Sequence, residues 1–474
     1  MVRERAKAVR MMPFYSSDDR PPADIIFSPL AFRNLTVKNR LFRSSISGRI
    51  DNYDGSGTAA RINWEERFAR GGVGAIISAH APVHVRGRIL PNYAFIDSDE
   101  RIPFWRAVVK RVHRHDCRFI LQLAHAGRQQ DLAGVENLGR KPLSASRKRD
   151  SFHGFPSESM SVSQIREVVR QFVDGARRAR EAGCDGIELH AANGYLFTQF
   201  LSSASNDRFD DYGGTLENRA RFLLEVIAAI RRQVGHDFHL QVKISAIDAN
   251  NALFFWERRG NTLSESIQVM QWAESAGADA VHVSAGNMFP HPANPAGSFP
   301  LDVAERNYPI MLASGSHTWR NYFCFRYRWL RPLFLRLWHR TSPAVVEGAN
   351  LPLAHALKKH LNIPVICTGG FQIASVIRRA IESGECDAVS MARTAMANPD
   401  LPLRFAAGHD AAERPCSYCN RCLINVLNHP LGCYDERRFT NYDEMIGELM
   451  AFYRGDDAAA AERAGQMLVT VERK

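Results

Sequence analysis

Three phrases along the chain, EAGCDGIEL, SAGADAVHV and ESGECDAVS, repeat one local event. In each, a segment with helical periodicity ends at a glycine and a short apolar run follows, which is the pattern of a helix that leads into a buried strand. Strands that alternate with helices favour a parallel sheet. We count eight candidate strands, at residues 40–44, 74–79, 118–123, 185–189, 239–244, 279–284, 363–368 and 386–391.

Eight is the number of strands in a (β/α)8 TIM barrel, and we predict this α/β fold. The clearest of the intervening amphipathic helices has apolar residues at spacings of three and four, namely Ile165, Val168, Val169, Phe172, Val173 and Ala176. A doubly wound open sheet is the alternative, but it favours a glycine-rich nucleotide loop after the first strand. Residues 45–58 read SISGRIDNYDGSGT, which is not such a loop.

Composition limits the class of protein. The fractions of 45% hydrophobic and 23% charged residues exclude a disordered chain, a collagen-like repeat and a small disulfide scaffold. No stretch approaches the roughly 18 apolar residues of a membrane-spanning helix, and the N-terminus lacks the apolar core of a signal peptide, so we expect a cytoplasmic location. We assign residues 1–22 to a flexible tail, 23–408 to the barrel and 409–474 to a C-terminal extension.

Two connections are too long to be simple turns, residues 124–160 after the third strand and 285–352 after the sixth. Both leave the C-terminal ends of strands, where barrel active sites are built, so we expect them to carry function. The second contains an insertion at about 305–350. Within it, residues 320–340 read RNYFCFRYRWLRPLFLRLWHR, which supplies six of the eleven excess positive charges and no acid.

Aromatic residues mixed with arginines favour a membrane interface or a stacked nucleic-acid site. Because this insertion leaves the C-terminal end of a strand, a lid over a bulky hydrophobic substrate is an equal candidate. A buried hairpin or an oligomer contact, with arginines that reach to water, is the fourth interpretation. We expect no nucleic-acid partner, and we leave peripheral membrane contact and a homo-oligomer open.

The passage ELHAANGYLFTQFLSSASNDRFDDYGG begins at the end of the fourth candidate strand. His190 and Asn193 can point two hydrogen-bond donors at one oxygen, and Tyr195 adds an acidic hydroxyl. Such a set suits an enone, because the donors stabilise charge on the carbonyl oxygen as hydride adds at the β carbon, and the phenol protonates the α carbon. A polar strand end capped by hydrogen bonds is the alternative for an isolated HxxN.

Several segments resemble, in their order and amino-acid sequence, those of the old yellow enzyme family, the FMN-dependent NADH:flavin oxidoreductases. The resemblance covers residues 26–408 and is carried by FSPLAFRNLTVKNRLFRSS, LQLAHAGR, HAANGYL, NDRFDDYGG with LENRARF, VICTGG and MARTAMANPDLP. It implies FMN at the barrel mouth, with NAD(P)H as the electron donor. It also implies that His190 and Asn193 hold the oxygen of a small-molecule substrate and that Tyr195 is the proton donor.

The resemblance also implies the residues that bind FMN. Those expected at the ring are Ser44, Ser45, Ser47, Gln122 and Lys243, and those expected at the phosphate are Gly369, Gly370 and Arg393. Two positions depart from the family pattern. Lys243 stands where arginine is common, which keeps the charge but loses planar bidentate bonding. Ala392 stands where a glycine usually precedes the phosphate arginine, so its methyl group crowds that approach.

Four of the nine cysteines, Cys416, Cys419, Cys422 and Cys433, are grouped with C-x2-C-x2-C-x10-C spacing. Three thiols within seven residues and a distant fourth fit a [4Fe-4S] cluster better than zinc, whose structural sites usually pair two short knuckles. The segment resembles the iron-sulfur motif of the family branch that contains 2,4-dienoyl-CoA reductase and trimethylamine dehydrogenase. That branch usually has three residues between the second and third cysteines, so zinc and free thiols stay open.

We therefore expect an FMN-dependent enzyme that moves hydride from NAD(P)H, or from a partner reductase, to the activated C=C of an α,β-unsaturated carbonyl compound. Oxidation of an amine or another donor, with electrons leaving through an iron-sulfur cluster to a separate protein, is the second enzymatic hypothesis. Two neutral donors at His190 and Asn193 argue against a cationic amine. A membrane- or nucleic-acid-binding protein on a degenerate barrel is the hypothesis from another class.

Overall fold

The computed structural model describes residues 24–130, 141–150, 155–248, 260–286, 292, 294–314 and 316–454. The tail expected at residues 1–22 lies outside these described residues, as do parts of both long connections and the last part of the C-terminal extension.

Eight parallel strands form the centre of the molecule. They are β1 (Leu41–Arg43), β2 (Ala75–Ile77), β3 (Arg118–Ala124), β4 (Gly186–Ala191), β5 (His239–Ser245), β6 (Ala280–Ser284), β7 (Val365–Thr368) and β8 (Ala388–Met391). Each strand pairs in parallel with the next, and β8 pairs with β1 through Val389 opposite Leu41 and Met391 opposite Arg43. This last pairing closes the sheet. The predicted (β/α)8 barrel is therefore confirmed, with all eight strands at their predicted places, and an open sheet is excluded.

Helices surround the barrel and extend beyond it. The α-helices in the described ranges are α1 (Ala59–Arg70), α2 (Ile102–His113), α3 (Val162–Glu181), α4 (Leu196–Leu201), α5 (Leu216–Val234), α6 (Leu263–Ala276), α7 (Leu301–Asn307), α8 (Ser316–Arg326), α9 (Arg331–Thr341), α10 (Leu351–Lys358), α11 (Ala374–Glu382), α12 (Arg393–Ala397), α13 (Leu401–Ala406), α14 (Arg421–Asn425) and α15 (Tyr442–Arg454). Not one of these described helices has the length and apolar character needed to cross a bilayer.

Short elements complete the architecture. The short strand Ala81–Pro82 pairs in parallel with the end of β3 and extends the barrel sheet. Outside the barrel lie the short strands Leu30–Ala31, Thr36–Val37, Leu143–Ser144 and Glu158–Ser159, and the short 3₁₀ helices Ile25–Phe27, Val85–Gly87, Asp99–Arg101, Tyr308–Ser314 and Glu436–Arg438.

Helix α3 shows why these segments fold as they do. Ser161 and Gln164 form a capping box in which each side chain accepts a hydrogen bond from the backbone of the other, which fixes the helix start. Ile165, Val168 and Phe172 are buried on the face that the sequence spacing predicts. The helix-ending glycines of the three repeated phrases, Gly183, Gly277 and Gly384, have φ of 86°, 112° and 70°, a left-handed conformation that ends a helix and is costly for other residues.

The N-terminal end of the barrel is covered by the antiparallel pair Leu30–Ala31 and Thr36–Val37. Phe32 between them is buried, with its ring centroid 4.7 Å from the imidazole of His239 at the start of β5. It joins an interior cluster whose barrel members include Phe42, Ile120 and Ile366. The cover leaves the C-terminal ends of the strands as the end where side chains converge on a cavity.

The connection between β6 and β7 contains α7, α8, α9 and α10, and α8 and α9 lie within the insertion. Phe325 of α8 and Phe334 and Trp338 of α9 are buried in a separate apolar cluster with Val303 of α7 and Ile424 of α14. Pro332 lies in the first turn of α9, where a missing N–H costs no helical hydrogen bond. The insertion therefore packs against the C-terminal extension through one of its faces.

The described part of the C-terminal extension packs back on the barrel. The Phe452 ring of α15 meets the indole of Trp64 in α1 with centroids 5.0 Å apart. The Asn63 side chain donates to the Phe452 carbonyl at 2.9 Å, and Arg67 lies 3.6 Å from the Glu448 carboxylate. These contacts hold α15 of the extension against α1 of the barrel.

Candidate active site

A cavity of about 260 Å³ lies at the C-terminal ends of the barrel strands. The predicted site residues among its lining are Ser44, Ser45, Ser47, His190, Asn193, Tyr195, Lys243, Arg393 and Cys422. Gln122 lies one contact away, because the Ser45 hydroxyl donates to its amide oxygen at 2.9 Å. Gly369 and Gly370 directly follow Thr368, which lines the cavity. The described structure thus gathers residues from distant parts of the sequence at one end of the barrel.

His190 and Tyr195 lie edge to face, with ring centroids 4.7 Å apart. His80 joins them, with its ring centroid 5.3 Å from that of Tyr195 and 6.0 Å from that of His190. The Nδ1 atom of His190 is buried and has no hydrogen-bond partner among the described residues. A buried polar atom without a partner costs free energy unless a ligand satisfies it. His190 is therefore suited to a ligand that brings a polar atom into the cavity.

Burial and charge set the protonation states of these two side chains. Burial, together with the nearby charge of Lys243, holds the pKa of His190 well below its ordinary value. Burial also raises the pKa of Tyr195 far above its ordinary value. At neutral pH the cavity therefore contains a neutral imidazole and a protonated phenol, so both can donate a hydrogen bond.

Asn193 sits at the turn that follows β4. Its φ of 59° is left-handed, a conformation that asparagine adopts more readily than most residues. The Ser245 hydroxyl accepts from its backbone N–H at 3.0 Å, and the Ser284 hydroxyl donates to its side-chain oxygen at 3.3 Å. Because the oxygen is engaged, the NH₂ group is the side of the amide left to donate toward a ligand.

Glu188, which the sequence reasoning did not single out, is the centre of a buried polar network inside the barrel. Its carboxylate accepts from the Gln122 amide at 2.6 Å and lies 2.7 Å from Nδ1 of His282. Burial raises the pKa of Glu188, but His282 and Lys243 outweigh it and hold the pKa below its ordinary value. Burial lowers the pKa of Lys243, and Glu188 opposes this. The signal in the sequence is an acid inside the otherwise apolar strand GIEL.

The loop after β7 forms a tight backbone cradle. A Cβ atom added at Gly369 would lie 3.3 Å from the backbone nitrogens of both Ala349 and Asn350. Gly370 has a φ of 74°, and a Cβ there would lie 2.9 Å from the Val346 carbonyl oxygen. Glycine leaves this space open at both positions. The two backbone nitrogens lie on the Gly369 side, and neighbouring backbone amides can form an anion-binding concavity.

Arg393 contacts residues 416–433, which carry the four grouped cysteines and which we call the cysteine segment. Its guanidinium donates to the side-chain oxygen of Asn420 and lies over the Tyr418 ring at 5.4 Å from the centroid. The Tyr418 hydroxyl in turn donates to the Gly370 carbonyl oxygen. The cradle, the arginine and the cysteine segment are therefore joined by direct contacts, which the sequence reasoning did not foresee.

The four grouped cysteines are partly buried. Burial raises the pKa of Cys416 to about 11 and raises the pKa of Cys422 further, and the neighbouring thiols add to both increases while Arg393 opposes them. Burial also raises the pKa of Cys433. Even so, within the residues that the structure describes, no three His, Cys, Asp or Glu side chains are arranged to hold a metal ion. The donor chemistry suits a soft metal, and the ligation geometry is not formed.

Gln129, Ser284, Asn294 and Thr368 add polar groups to the cavity lining. Nine larger apolar side chains line it as well, and they were not predicted as site residues from the sequence. They are Ile46, Ile89, Leu90, Met396, Leu423, Ile424, Val426, Leu427 and Leu431. Five of the nine come from the cysteine segment. A cavity with this lining favours a ligand with a substantial apolar part and a few polar groups.

Asp248 lies just beyond β5, and we expect it to make the free energy of unfolding depend on pH. Burial raises its pKa from 3.8 to about 6, opposed by hydrogen bonds that include one from the Asn261 backbone at 3.0 Å. Because the pKa of Asp248 is raised in the folded state, the protonated carboxyl stabilises the fold fully below about pH 4. This contribution to the free energy of unfolding is lost as the pH rises through about 6. Asp248→Asn should therefore be more stable than wild type by about 3 kcal/mol at pH 8, with a smaller difference at pH 5.

Urea unfolding at the two pH values checks this prediction. Asp443→Asn, at an exposed carboxylate of α15, is the matched control and should show no comparable pH-dependent gain. If Asp248→Asn raises the free energy of unfolding by the same amount at both pH values, the pKa of Asp248 is not raised in the folded protein.

Comparison with known proteins identifies the family. Residues 25–306 match the model of the NADH:flavin oxidoreductase / NADH oxidase family, and the match ends at the start of the insertion. The NADH oxidase of Thermoanaerobacter brockii is 29% identical over 466 residues, which are 95% of this chain and 63% of that protein. This chain therefore spans less than two thirds of that relative's length.

Solved structures agree on the fold. A 2-naphthoyl-CoA reductase in complex with 2-naphthoyl-CoA superimposes with a TM-score of 0.70 at 21% identity, covering 86% of this chain and 56% of that one. The old yellow enzyme homologue from Zymomonas mobilis superimposes with a TM-score of 0.61 at 21% identity, covering 86% of this chain and 99% of that one. The predicted family is confirmed: the chain belongs to the NADH:flavin oxidoreductase / NADH oxidase family of FMN-dependent oxidoreductases.

Proposed function

We propose that this chain reduces the activated C=C bond of α,β-unsaturated carbonyl compounds, with FMN at the C-terminal end of the barrel and NAD(P)H as the electron source. The observation that carries the proposal is the neutral His190, the amide of Asn193 and the protonated Tyr195 on one apolar-lined cavity. FMN, when bound, supplies the hydride.

Features of the cavity support FMN as its cofactor. Ser44, Ser45, Ser47 and Lys243 offer polar groups on the cavity lining, and the Gln122 amide oxygen accepts a hydrogen bond from Ser45. We assign these residues to the ring. The space at Gly369, beside the backbone nitrogens of Ala349 and Asn350, suits a phosphate group, and we assign the phosphate to Gly369, Gly370 and Arg393. The methyl group of Ala392 also lines the cavity, so we expect it to contact the cofactor.

The residues of this chain have separate tasks in the proposed reaction. His190 and Asn193 donate hydrogen bonds to the carbonyl oxygen of the substrate, which stabilises the negative charge that grows there as hydride arrives at the β carbon. Tyr195 delivers its phenolic proton to the α carbon, and solvent returns a proton to the phenolate. The product is the saturated carbonyl compound. The apolar lining excludes water from the reacting atoms.

A two-step reduction assay tests this function. The purified full chain should be yellow, should lose its colour with NADH or NADPH in the absence of oxygen, and should regain it when 2-cyclohexenone is added. Protein that bleaches but does not recover its colour with enones would overturn the substrate class and leave the flavin assignment intact. A colourless preparation that binds no flavin would favour a binding protein on a degenerate barrel.

A second candidate function is oxidation of an amine or another donor, with electrons leaving through a [4Fe-4S] cluster on Cys416, Cys419, Cys422 and Cys433 to a partner protein. The observation that favours it is Cys422 on the lining of the same cavity. The two neutral donors favour a carbonyl oxygen over a cationic amine, so we place this function second.

We predict about four iron and four acid-labile sulfide per chain in anaerobically purified protein, because three cysteines within seven residues and a distant fourth have a spacing that suits a [4Fe-4S] cluster. Cys422→Ser should lower the iron content at least severalfold, whereas Cys324→Ser, at a partly buried cysteine outside the group, should not. Zinc in place of iron, or neither metal, would contradict the cluster while leaving the flavin chemistry in place.

A further inference from the structure

The helices α8 and α9 and the turn between them, residues 316–341, form a unit that we call the helical hairpin. Its inner face is fixed to the protein. Phe325 and Phe334 meet across the two helices with ring centroids 5.3 Å apart, and Trp338 lies 4.7 Å from Phe299. Their cluster includes Ile424, which also lines the cavity. The hairpin is thus packed against the site region.

The outer face of the helical hairpin carries a continuous row of exposed aromatic rings. The rings of Trp319 and Phe323 are 6.2 Å apart, those of Phe323 and Tyr327 are 5.8 Å apart and nearly parallel, and those of Tyr327 and Trp329 are 6.3 Å apart. Trp329, in the turn, is 75% exposed, and Leu333, in the first turn of α9, is 56% exposed. A contiguous row of exposed aromatic side chains is typical of an interaction surface.

The helical hairpin itself contains no acidic residue. Residues 320–340 contain six arginines and no acid. Arg328 in the turn and Arg336 and Arg340 on α9 are exposed. Arg331 is drawn inward to Glu305 of α7 at 2.6 Å, and Arg326 lies 3.6 Å from the same carboxylate. The outer face therefore combines exposed guanidinium groups with aromatic rings.

We propose that the outer face of the helical hairpin docks on the surface of an anionic lipid bilayer. Tryptophan and tyrosine rings settle at the headgroup level, where one end of the ring is apolar and the other meets water. Guanidinium groups pair with lipid phosphates, and anionic headgroups attract a cationic surface. Since no described helix can span the bilayer, the contact is peripheral. The charge complementarity and the aromatic row at the turn favour lipid over a folded protein partner.

Vesicle cosedimentation of the full-length, flavin-loaded chain tests this docking surface. Vesicles of phosphatidylcholine with phosphatidylglycerol should pellet the protein at low salt, and vesicles of phosphatidylcholine alone should pellet much less of it. High salt should weaken the binding, because exposed charges are screened within a Debye length. Failure to pellet with anionic vesicles at low salt would overturn the proposal.

Substitutions on the outer face identify the surface. Trp329→Ala should weaken the vesicle partition coefficient about tenfold, as expected for an apolar side chain that leaves water on binding. The double variant Arg328→Glu with Arg336→Glu should weaken it about 100-fold. Because these side chains are exposed, the variants should keep their flavin spectrum and melting temperature.

Matched controls lie elsewhere on the surface. Tyr442→Ala removes an aromatic side chain that is 65% exposed on α15, and Arg232→Glu with Arg379→Glu makes the same change in net charge at exposed positions of α5 and α11. Neither control should reduce binding as the hairpin variants do. Equal losses for control and hairpin variants, or hairpin-dependent binding of single-stranded RNA without binding of anionic vesicles, would overturn the assignment.

Discussion

Tyr195→Phe is expected to slow the reduction of an enone by about 10²- to 10⁴-fold, the usual contribution of a positioned general acid. The reason is that phenylalanine keeps the ring, which packs edge to face on His190 at 4.7 Å, and removes the one proton that the proposed mechanism delivers to the α carbon. Reduction of the flavin by NAD(P)H involves no such proton, so its rate should stay within a factor of about two. Stopped-flow absorbance of the two half-reactions separates these effects.

The same cavity supplies the control. Tyr93 also lines it, and its ring centroid lies 5.8 Å from that of His80. Tyr93→Phe should reduce an enone at close to the wild-type rate. If Tyr93→Phe is slow and Tyr195→Phe is fast, the proton donor has been assigned to the wrong tyrosine.

His190→Ala is expected to lower kcat/KM for an enone by about 10²- to 10³-fold, because it removes a preorganised donor to the oxygen on which charge develops. Both binding and turnover should suffer, so KM rises as kcat falls. His190→Asn keeps a neutral donor at the same position and should recover part of the loss. An unchanged kcat/KM in His190→Ala would mean that the substrate oxygen lies elsewhere.

The pH dependence of this step follows from the burial of His190. Because burial and the charge of Lys243 hold its pKa well below the ordinary value, the imidazole is neutral throughout the range from pH 6 to 8. The wild-type enone-reduction rate should therefore show no inflection from this group in that range. An inflection that disappears in His190→Asn would show that the imidazole titrates there.

The barrel was predictable from the sequence because its signals are local. Each strand is a short buried run, and three of the preceding helices end at a glycine whose left-handed φ only a residue without a Cβ adopts easily, as at Gly277. The apolar face of α3 follows directly from its spacing. Local patterns of this kind predict the fold well, because the local preference of each strand and helix agrees with its place in the barrel.

The site was only partly predictable, because its remaining features depend on contacts between distant residues. Glu188 acquires its role from Gln122, 66 residues away, and from His282, 94 residues away. Arg393 meets Tyr418 and Asn420 only because the extension folds back on the barrel. Nothing in a linear pattern reports such pairings. Residues at strand ends, such as His190, were predictable because their position in the fold places them at the cavity.

The structure of the insertion was also only partly predictable from the sequence. Its composition indicates an interfacial or packed segment, but spacing alone did not separate the buried rings from the exposed ones. The structure separates them, with Phe334 and Trp338 buried and Trp329 exposed. Pro332 starts α9 in its first turn, so the segment is a pair of helices and not one.

Both proposed enzymatic functions require FMN at the C-terminal end of this barrel. The most direct test is the amount of flavin bound to the purified full chain, measured by absorbance after denaturation and by titration of the apoprotein with riboflavin 5′-phosphate. We expect one FMN per chain, and weaker binding when Gly369→Val fills the space beside the Ala349 and Asn350 amides. If the chain neither retains FMN nor binds it again, the proposed flavin site is wrong.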